Sequence, residues 1–301
     1  MGNRILIYHR DASPVQTYKE LCELLTELGY EVDVRTKLSY LNINSYDVLV
    51  GVNCASAVKL ALIIPHRPVV FYSVEVDLPS VIKFNKSRLV LPWVRFEGVI
   101  VTSKRRLDLA KTYIRSKQYT ILPNQFYSSR DICNTTTERE RAAVYIGSGG
   151  PMLYECLKPF IKILSALDIP LDIYPYSHRG VKIDGVRNSF KFEGDRKGLV
   201  SQLNRYQFGI LPLYFVDANP SFIDFLATPG KLYYYLAAQL HVLTNISDGD
   251  DEIMSNTISL DKVDGNLLAS LGAKPNSPDG AYFSLNVKNE IERFFERVKT
   301  D

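Results

Sequence analysis

Short runs of branched apolar residues, each followed by a stretch with helical spacing, set the strongest limit on what this chain can fold into. Arg4–Tyr8 (RILIY), Glu31–Arg35, Asp47–Val52, Pro68–Tyr72 and Gly98–Thr102 read as strands. Pro14–Leu28 carries Leu21, Leu24, Leu25 and Leu28 on one helical stripe, with Ser13 as its cap and Gly29 as its stop. Ala55–Ile64 and Lys104–Tyr113 are further helical segments. Strands that alternate with helices pair in parallel through crossover connections, so the expected class is α/β.

The alternation halts after Tyr119–Asn124 and a polar stretch follows, Tyr127 to Glu140, which reads as an interdomain linker. It then restarts. Ala142–Ile146 is a strand, Gly147–Gly150 a glycine-rich turn and Pro151–Leu167 a helix. Pro170–Tyr174, Phe190–Phe192, a helix over Lys197–Tyr206, and Phe208–Pro212 continue the pattern. A helix over Lys231–Leu240 and strands at His241–Thr244 and Thr257–Ser259 complete it. Asn286–Val298 is an amphipathic helix with Val287, Ile291, Phe294, Phe295 and Val298 on one stripe. The expected division is 1–132 and 133–285, with 286–301 as a closing helix. Two such halves direct attention to the carboxyl ends of the strands, where open α/β sheets bind ligands.

Composition narrows the class further. A length of 301 residues, at roughly 100–200 per domain, agrees with about two domains. The net charge of +3 is too small to argue for nucleic acid. That average conceals a split: through Glu138 there are 18 Lys and Arg against 13 Asp and Glu, a net of +5, and the remainder has 18 against 20, a net of −2. Cys22, Cys54, Cys133 and Cys156 form no CxxC pair, so neither a zinc site nor a redox motif is indicated. No run approaches the ~18 apolar residues of a membrane span, and the opening apolar run, Ile5–Tyr8, is too short for a secretion signal. The expectation is a soluble cytoplasmic protein.

Two segments carry candidate chemistry. Gly147-Ser148-Gly149-Gly150 lies between a strand and a helix, where free backbone N–H groups and the helix dipole favour an anion such as phosphate. It is neither GxGxxG nor a Walker motif, and a turn without a ligand is the competing reading. Thr228-Pro229-Gly230-Lys231 opens a helix with a good cap and proline at the first position. The ammonium of Lys231 and the free N–H groups there point to one place, which suits a diphosphate. A surface lysine on a capped helix is the alternative.

The run Thr228–Asn245, TPGKLYYYLAAQLHVLTN, resembles the P-x-K-x-x-E-Y-L-A-A-G-x-P-V-V element of GT-B glycosyltransferases. Other pieces fall in the same order. Tyr145–Gly150 resembles the first strand and glycine loop of the donor domain, Phe192-Glu193-Gly194 the F-x-G before a helix, and Phe208–Leu213 the D-I-G-L-x-P-L strand. In the first half, Phe71–Val76 resembles Y-Y-S-L-E-L, and Ile121–Asn124 the I-P-N that closes the acceptor domain. The likeness is to bacterial polysaccharide and glycolipid enzymes, with a family 4-like or glucuronosyltransferase-like donor domain. It implies two Rossmann-like domains facing a cleft, with the last helix crossing back to the first domain. It also implies transfer from a nucleotide-sugar donor to a glycan or lipid-linked acceptor, without a metal or other cofactor.

The match is incomplete. The two glutamates of many retaining members correspond to Leu226 and Tyr234, so that pair is absent, and Gln239 and His241 replace a glycine and a proline. Lys231 matches, and Tyr234 becomes a candidate for stacking on the donor. Tyr174 and Tyr176 follow a donor-domain strand, where relatives place residues near the nucleotide base. A general base for the acceptor is sought just past first-half strand ends, among His9, Asp11, Glu75 and Asp77. Glu75 and Asp77 are preferred, then Asp11. Lys104, Arg105, Arg106, Lys111, Arg115 and Lys117 lie on or near one helix, a candidate face for anionic lipid. The competing readings are a non-catalytic nucleotide-binding subunit of the same fold, and a nucleotide-sugar epimerase or hydrolase.

Overall fold

The computed structural model describes residues 3–9, 16–38, 43–73, 91–123, 138–147, 153–175, 183–189, 196–212, 230–245, 257–272 and 280–300. The chain divides into two compact units. Unit 1 holds Met1–Phe126, Asp224–Thr228 and Leu285–Asp301; unit 2 holds Tyr127–Ile223 and Pro229–Ser284.

Unit 1 is built on six strands: β1 (Arg4–Tyr8), β2 (Glu31–Arg35), β3 (Val48–Val52), β4 (Val69–Tyr72), β5 (Arg95–Val101) and β6 (Arg115–Ile121). All pair in parallel, in the order β2-β1-β3-β4-β5-β6. The central strands are apolar without alternation because helices cover both faces, as parallel sheets demand. Helices α2 (Cys54–Ile63) and α3 (Lys104–Tyr113) pack Ala57, Leu60 and Ala110 against Leu6, Leu49, Phe71 and Val99. Helix α1 (Gln16–Glu27) contributes Leu21, Leu24 and Leu25, all buried. The closing helix, numbered α8 below, sets Phe294 and Val298 against Gly98 of β5, where any larger residue would collide with the Phe294 ring.

Unit 2 repeats the plan with β7 (Glu140–Gly147), β8 (Leu171–Pro175), β9 (Asn188–Ser189), β10 (Tyr206–Leu211), β11 (His241–Thr244) and β12 (Ile258–Ser259). The parallel order is β12-β11-β10-β7-β8-β9. Helices α4 (Leu153–Ala166) and α7 (Gly265–Ser270) bury Leu157, Phe160, Leu164 and Leu268 on one face. Helices α5 (Arg196–Leu203) and α6 (Gly230–Ala237) bury Leu199, Leu203, Leu232 and Tyr235 on the other. Helix α8 (Gly280–Thr300) follows. Among the described residues, no helix is long and apolar enough to cross a membrane.

Several elements differ from the sequence reading. The helix expected to run through Tyr206 stops at Leu203, and Tyr206 instead opens β10. Its ring is fully buried and its hydroxyl donates to Asp172 at 2.8 Å. β6 occupies Arg115–Ile121, ahead of and overlapping the Tyr119–Asn124 run where the alternation was expected to end; its first residues alternate exposed and half-buried, as an edge strand does. α8 begins six residues before the expected Asn286, and α7 was not anticipated. The proposed linker and the Phe190–Phe192 strand lie largely or wholly outside the described residues; β7 already begins at Glu140.

At the amino ends of the unit 2 strands, the fully buried carboxylate of Asp172 accepts four hydrogen bonds. Arg187 donates two, at 3.0 and 2.7 Å, Tyr206 one and Asn188 one at 3.1 Å. Arg187 also grips Glu140. Burial pushes the Asp172 carboxyl up, but the hydrogen bonds from Arg187 and Tyr206 outweigh it and hold the carboxyl below its usual range.

Candidate functional site

In unit 2 the strand order reverses between β7 and β10, which makes their carboxyl ends the topological switch point. The ladder between these strands pairs Phe208 with Ala143 and Gly209 with Val144. Beyond that pair a side chain from α6 takes over. The hydroxyl of Tyr235 accepts from the Ile146 amide at 3.1 Å and donates to the Ile210 carbonyl at 2.9 Å. Both backbone groups are satisfied while the strand ends part, as a crevice requires.

Lys231 stands on the first turn of α6 beside this opening. Its Nζ donates to the Tyr145 hydroxyl at 3.1 Å and lies 4.6 Å from the centre of that ring. Tyr145 belongs to the α4 side of the sheet, so the ammonium has crossed the carboxyl edge from one helix layer towards the other. Gly147 makes the crossing possible. A Cβ there would lie 2.7 Å from Cε and 2.9 Å from Nζ of Lys231, and the backbone holds φ +149°, where side chains are strained. Burial pulls the Lys231 ammonium down to about 8, opposed in part by the neighbouring Cys156 thiol. A positive charge thus waits, poorly solvated, at the start of a helix whose own dipole favours anions.

The other expected donor residues divide three ways. Gly147 and Lys231 come together, with α6 starting at Gly230. Ser148, Gly149, Tyr176 and Thr228 lie outside the described residues. Tyr174 and Tyr234 are core residues, 4% and 8% exposed, in the cluster between the sheet and α5–α6. The Tyr174 hydroxyl accepts from Arg205 at 2.9 Å and its ring meets Tyr206 edge-on. Tyr174 and Tyr234 are both packed within unit 2. Tyr145 and Tyr235, which shape the crevice, had no distinguishing signal in a chain with 19 tyrosines.

In unit 1 the order reverses between β1 and β3. His9 follows β1 there, 2% exposed, with its ring 5.7 Å from that of Tyr18 on α1. Among the described residues its Nε2 has no hydrogen-bond partner, a costly state for a buried polar atom. Asn53, at the end of β3, holds φ 72° and ψ 157°, a region that almost only glycine adopts. Asp11, Glu75 and Asp77 lie outside the described residues. The six-cation face contracts: Arg106 is buried, donating to Thr102 at 3.0 Å, and Lys117 is paired with Glu97 at 2.8 Å. Among the described residues, no three His, Cys, Asp or Glu side chains gather as metal ligands would.

No protein-family model matches the chain, and no curated protein matches it in sequence. Solved structures do match its fold. AviGT4, a glycosyltransferase involved in avilamycin A biosynthesis, aligns over 98% of this chain and 97% of its own at a TM-score of 0.59 and 10% identity. Sucrose-phosphate synthase from Thermosynechococcus elongatus aligns over 99% and 94% at a TM-score of 0.55 and 11% identity. Anabaena HepE, solved in complex with UDP-glucose, aligns over 99% and 92% at 0.51 and 11%. The fold is that of the GT-B glycosyltransferases.

Proposed function

We propose that the protein is a glycosyltransferase that takes a sugar from a nucleotide-sugar donor held by unit 2 and delivers it to a glycan or lipid-linked acceptor held by unit 1. The observation that carries this reading is the desolvated ammonium of Lys231, led past Gly147 to the carboxyl ends of β7 and β10. A charge in that position meets a diphosphate, and UDP-glucose is the ligand in the HepE structure. In transfer, the bond from sugar C1 to the diphosphate oxygen breaks and its electron pair leaves with the diphosphate. Lys231 and the amino end of α6 stabilise the charge that develops there, in the role other transferases give to a metal.

The acceptor oxygen bonds to C1 and surrenders its proton to a base. The candidates are those of the sequence, Glu75, Asp77 and Asp11, together with His9, whose buried Nε2 has no hydrogen-bond partner among the described residues.

Thermal shift with UDP, GDP and CMP compounds tests the donor site. A nucleotide that protects the wild type and fails to protect Lys231→Ala is the expected result. Loss of a charge-assisted contact of ~1.5–3 kcal/mol weakens affinity roughly ten- to hundredfold. Absence of protection by every nucleotide would refute the reading. The base is then assigned by comparing transfer in His9→Asn, Glu75→Gln, Asp77→Asn and Asp11→Asn. The variant at fault loses transfer and keeps nucleotide protection.

A further inference from the structure

Among the described residues of the chain, four large apolar side chains are exposed: Val34, Leu62, Trp93 and Tyr113. Three of them share one edge of unit 1. Leu62 sits on the last turn of α2, which leads to β4. Trp93 stands two residues before β5, and Tyr113 two residues before β6. β4, β5 and β6 are neighbours in the sheet, so these three side chains gather at the amino ends of adjacent strands. Trp93 is 86% exposed and Leu62 62%, and both border a cavity of about 230 Å3 with Arg67, Arg95 and Glu97.

The charge around them has one sign. Arg95 and Arg115 are register partners on β5 and β6, both exposed, and Lys111 is exposed in the last turn of α3. Among the described residues none of these three has a carboxylate partner. The acid of this edge, Glu97, is already neutralised by Lys117. Tryptophan, tyrosine and leucine surrounded by arginine and lysine is the composition that settles in a headgroup layer. The rings enter the interface, and the cations meet lipid phosphates. Exposed patches of this kind mark interaction sites.

We propose that this amino edge docks on an anionic phospholipid bilayer, with Leu62, Trp93 and Tyr113 entering the interface and Arg95, Lys111 and Arg115 contacting lipid phosphates. The surface keeps Lys111 and Arg115 of the basic face expected from sequence and leaves out Arg106, which is buried, and Lys117, which is paired. It lies at the end of the sheet opposite His9 and Asn53, so docking leaves the carboxyl edge of unit 1 clear of the bilayer. Nothing in it depends on nucleotide binding.

Trp93 is the chain's one tryptophan, so its emission reports on this surface alone. Phosphatidylcholine vesicles containing roughly one third phosphatidylglycerol should bind the protein and shift Trp93 emission to the blue. Bromine-labelled lipid should quench it, and salt should reverse the binding. By sedimentation, Trp93→Ala and the double variant Arg95→Glu with Arg115→Glu should each lose about tenfold or more of the partitioning. Pure phosphatidylcholine should bind weakly. Failure to bind the anionic vesicles would overturn the proposal. So would binding that both variants retain, because the contact would then lie elsewhere. A blue shift that needs no vesicles and tracks dimer formation in ultracentrifugation would assign the edge to a second copy instead.

Discussion

Replacing Lys231 by methionine should make the protein more stable at neutral pH while removing its hold on the nucleotide. Burial pulls the lysine from 10.5 down to about 8. The unfolded chain therefore binds more protons than the folded one between those values, and stability rises with pH across that window. Below pH 8 the cost of keeping the ammonium in place is fully present, about 3 kcal/mol at pH 7 by linkage. At pH 10 it falls below about 1 kcal/mol, because the folded lysine is already neutral and the pH lies only half a unit below the unfolded value of 10.5. Methionine fills much of the same stem without the charge, but forfeits the contact with the Tyr145 ring and hydroxyl, together about 1–2 kcal/mol. The net expectation at pH 7 is a gain of about 1–2 kcal/mol, or several degrees in Tm at ~2–4 °C per kcal/mol for a unit of this size. The assay is thermal unfolding of wild type and variant at pH 7 and pH 10, with and without UDP. The advantage of the variant should shrink or reverse at pH 10, and its nucleotide-induced shift should be lost at both values. A variant less stable than wild type at pH 7, or an equal advantage at both pH values, would refute the desolvation argument.

Other perturbations test separate parts of the structure. Gly147→Ala puts a methyl group 2.6 Å from the Tyr145 hydroxyl and 2.9 Å from Nζ of Lys231; calorimetry should register at least a tenfold loss of nucleotide affinity, and unchanged affinity would separate Gly147 from the phosphate crevice. Asp172→Ala leaves the half-exposed Arg187 with Glu140 alone and takes the acceptor from Tyr206 and Asn188, and should cost about 1–3 kcal/mol, read as a lower denaturant midpoint. Because the Asp172 carboxyl is held below its usual range, its stabilisation is present above that range and lost as pH falls through the lowered value; the variant should lack that part of the acid slope. Phe294→Ala should cost about 3–5 kcal/mol by emptying the space over Gly98, with nucleotide affinity in unit 2 preserved.

The two β/α units were legible because covered parallel strands need unbroken apolar runs. RILIY, VLVGV and AAVYI announce burial on both faces, and each was located within a residue or two. β6 was read late because an edge strand alternates, and its opening RSKQ has the polarity of a loop. Tyr206 was drawn into the preceding helix because its fate depends on Asp172, 34 residues away, and no local spacing encodes that hydrogen bond. The same holds for Tyr174. A tyrosine at a strand's carboxyl end has the right address for a ligand, while its burial against Tyr206 and its bond from Arg205 come from residues some thirty positions away that no local spacing encodes.

Lys231 was legible because the Thr-Pro-Gly sequence before it reads as a helix start, and the helix does begin at Gly230. What it does there was not, because its partner Tyr145 lies 86 positions earlier on the other helix layer. Gly147 joins the two readings. As one glycine in a small-residue turn it suggested an anion loop, yet the structure gives it a further task, removing the side chain that would bar the lysine from the sheet edge. The lysine is held out of water by the same closeness. On the proposed reading, an anion entering the β7–β10 opening would restore to that ammonium the solvation that burial removed, so part of its affinity would come from relief of a cost already built into the fold. That is why one residue should govern both stability and binding in this unit, and why the two should move in opposite directions when its charge is removed.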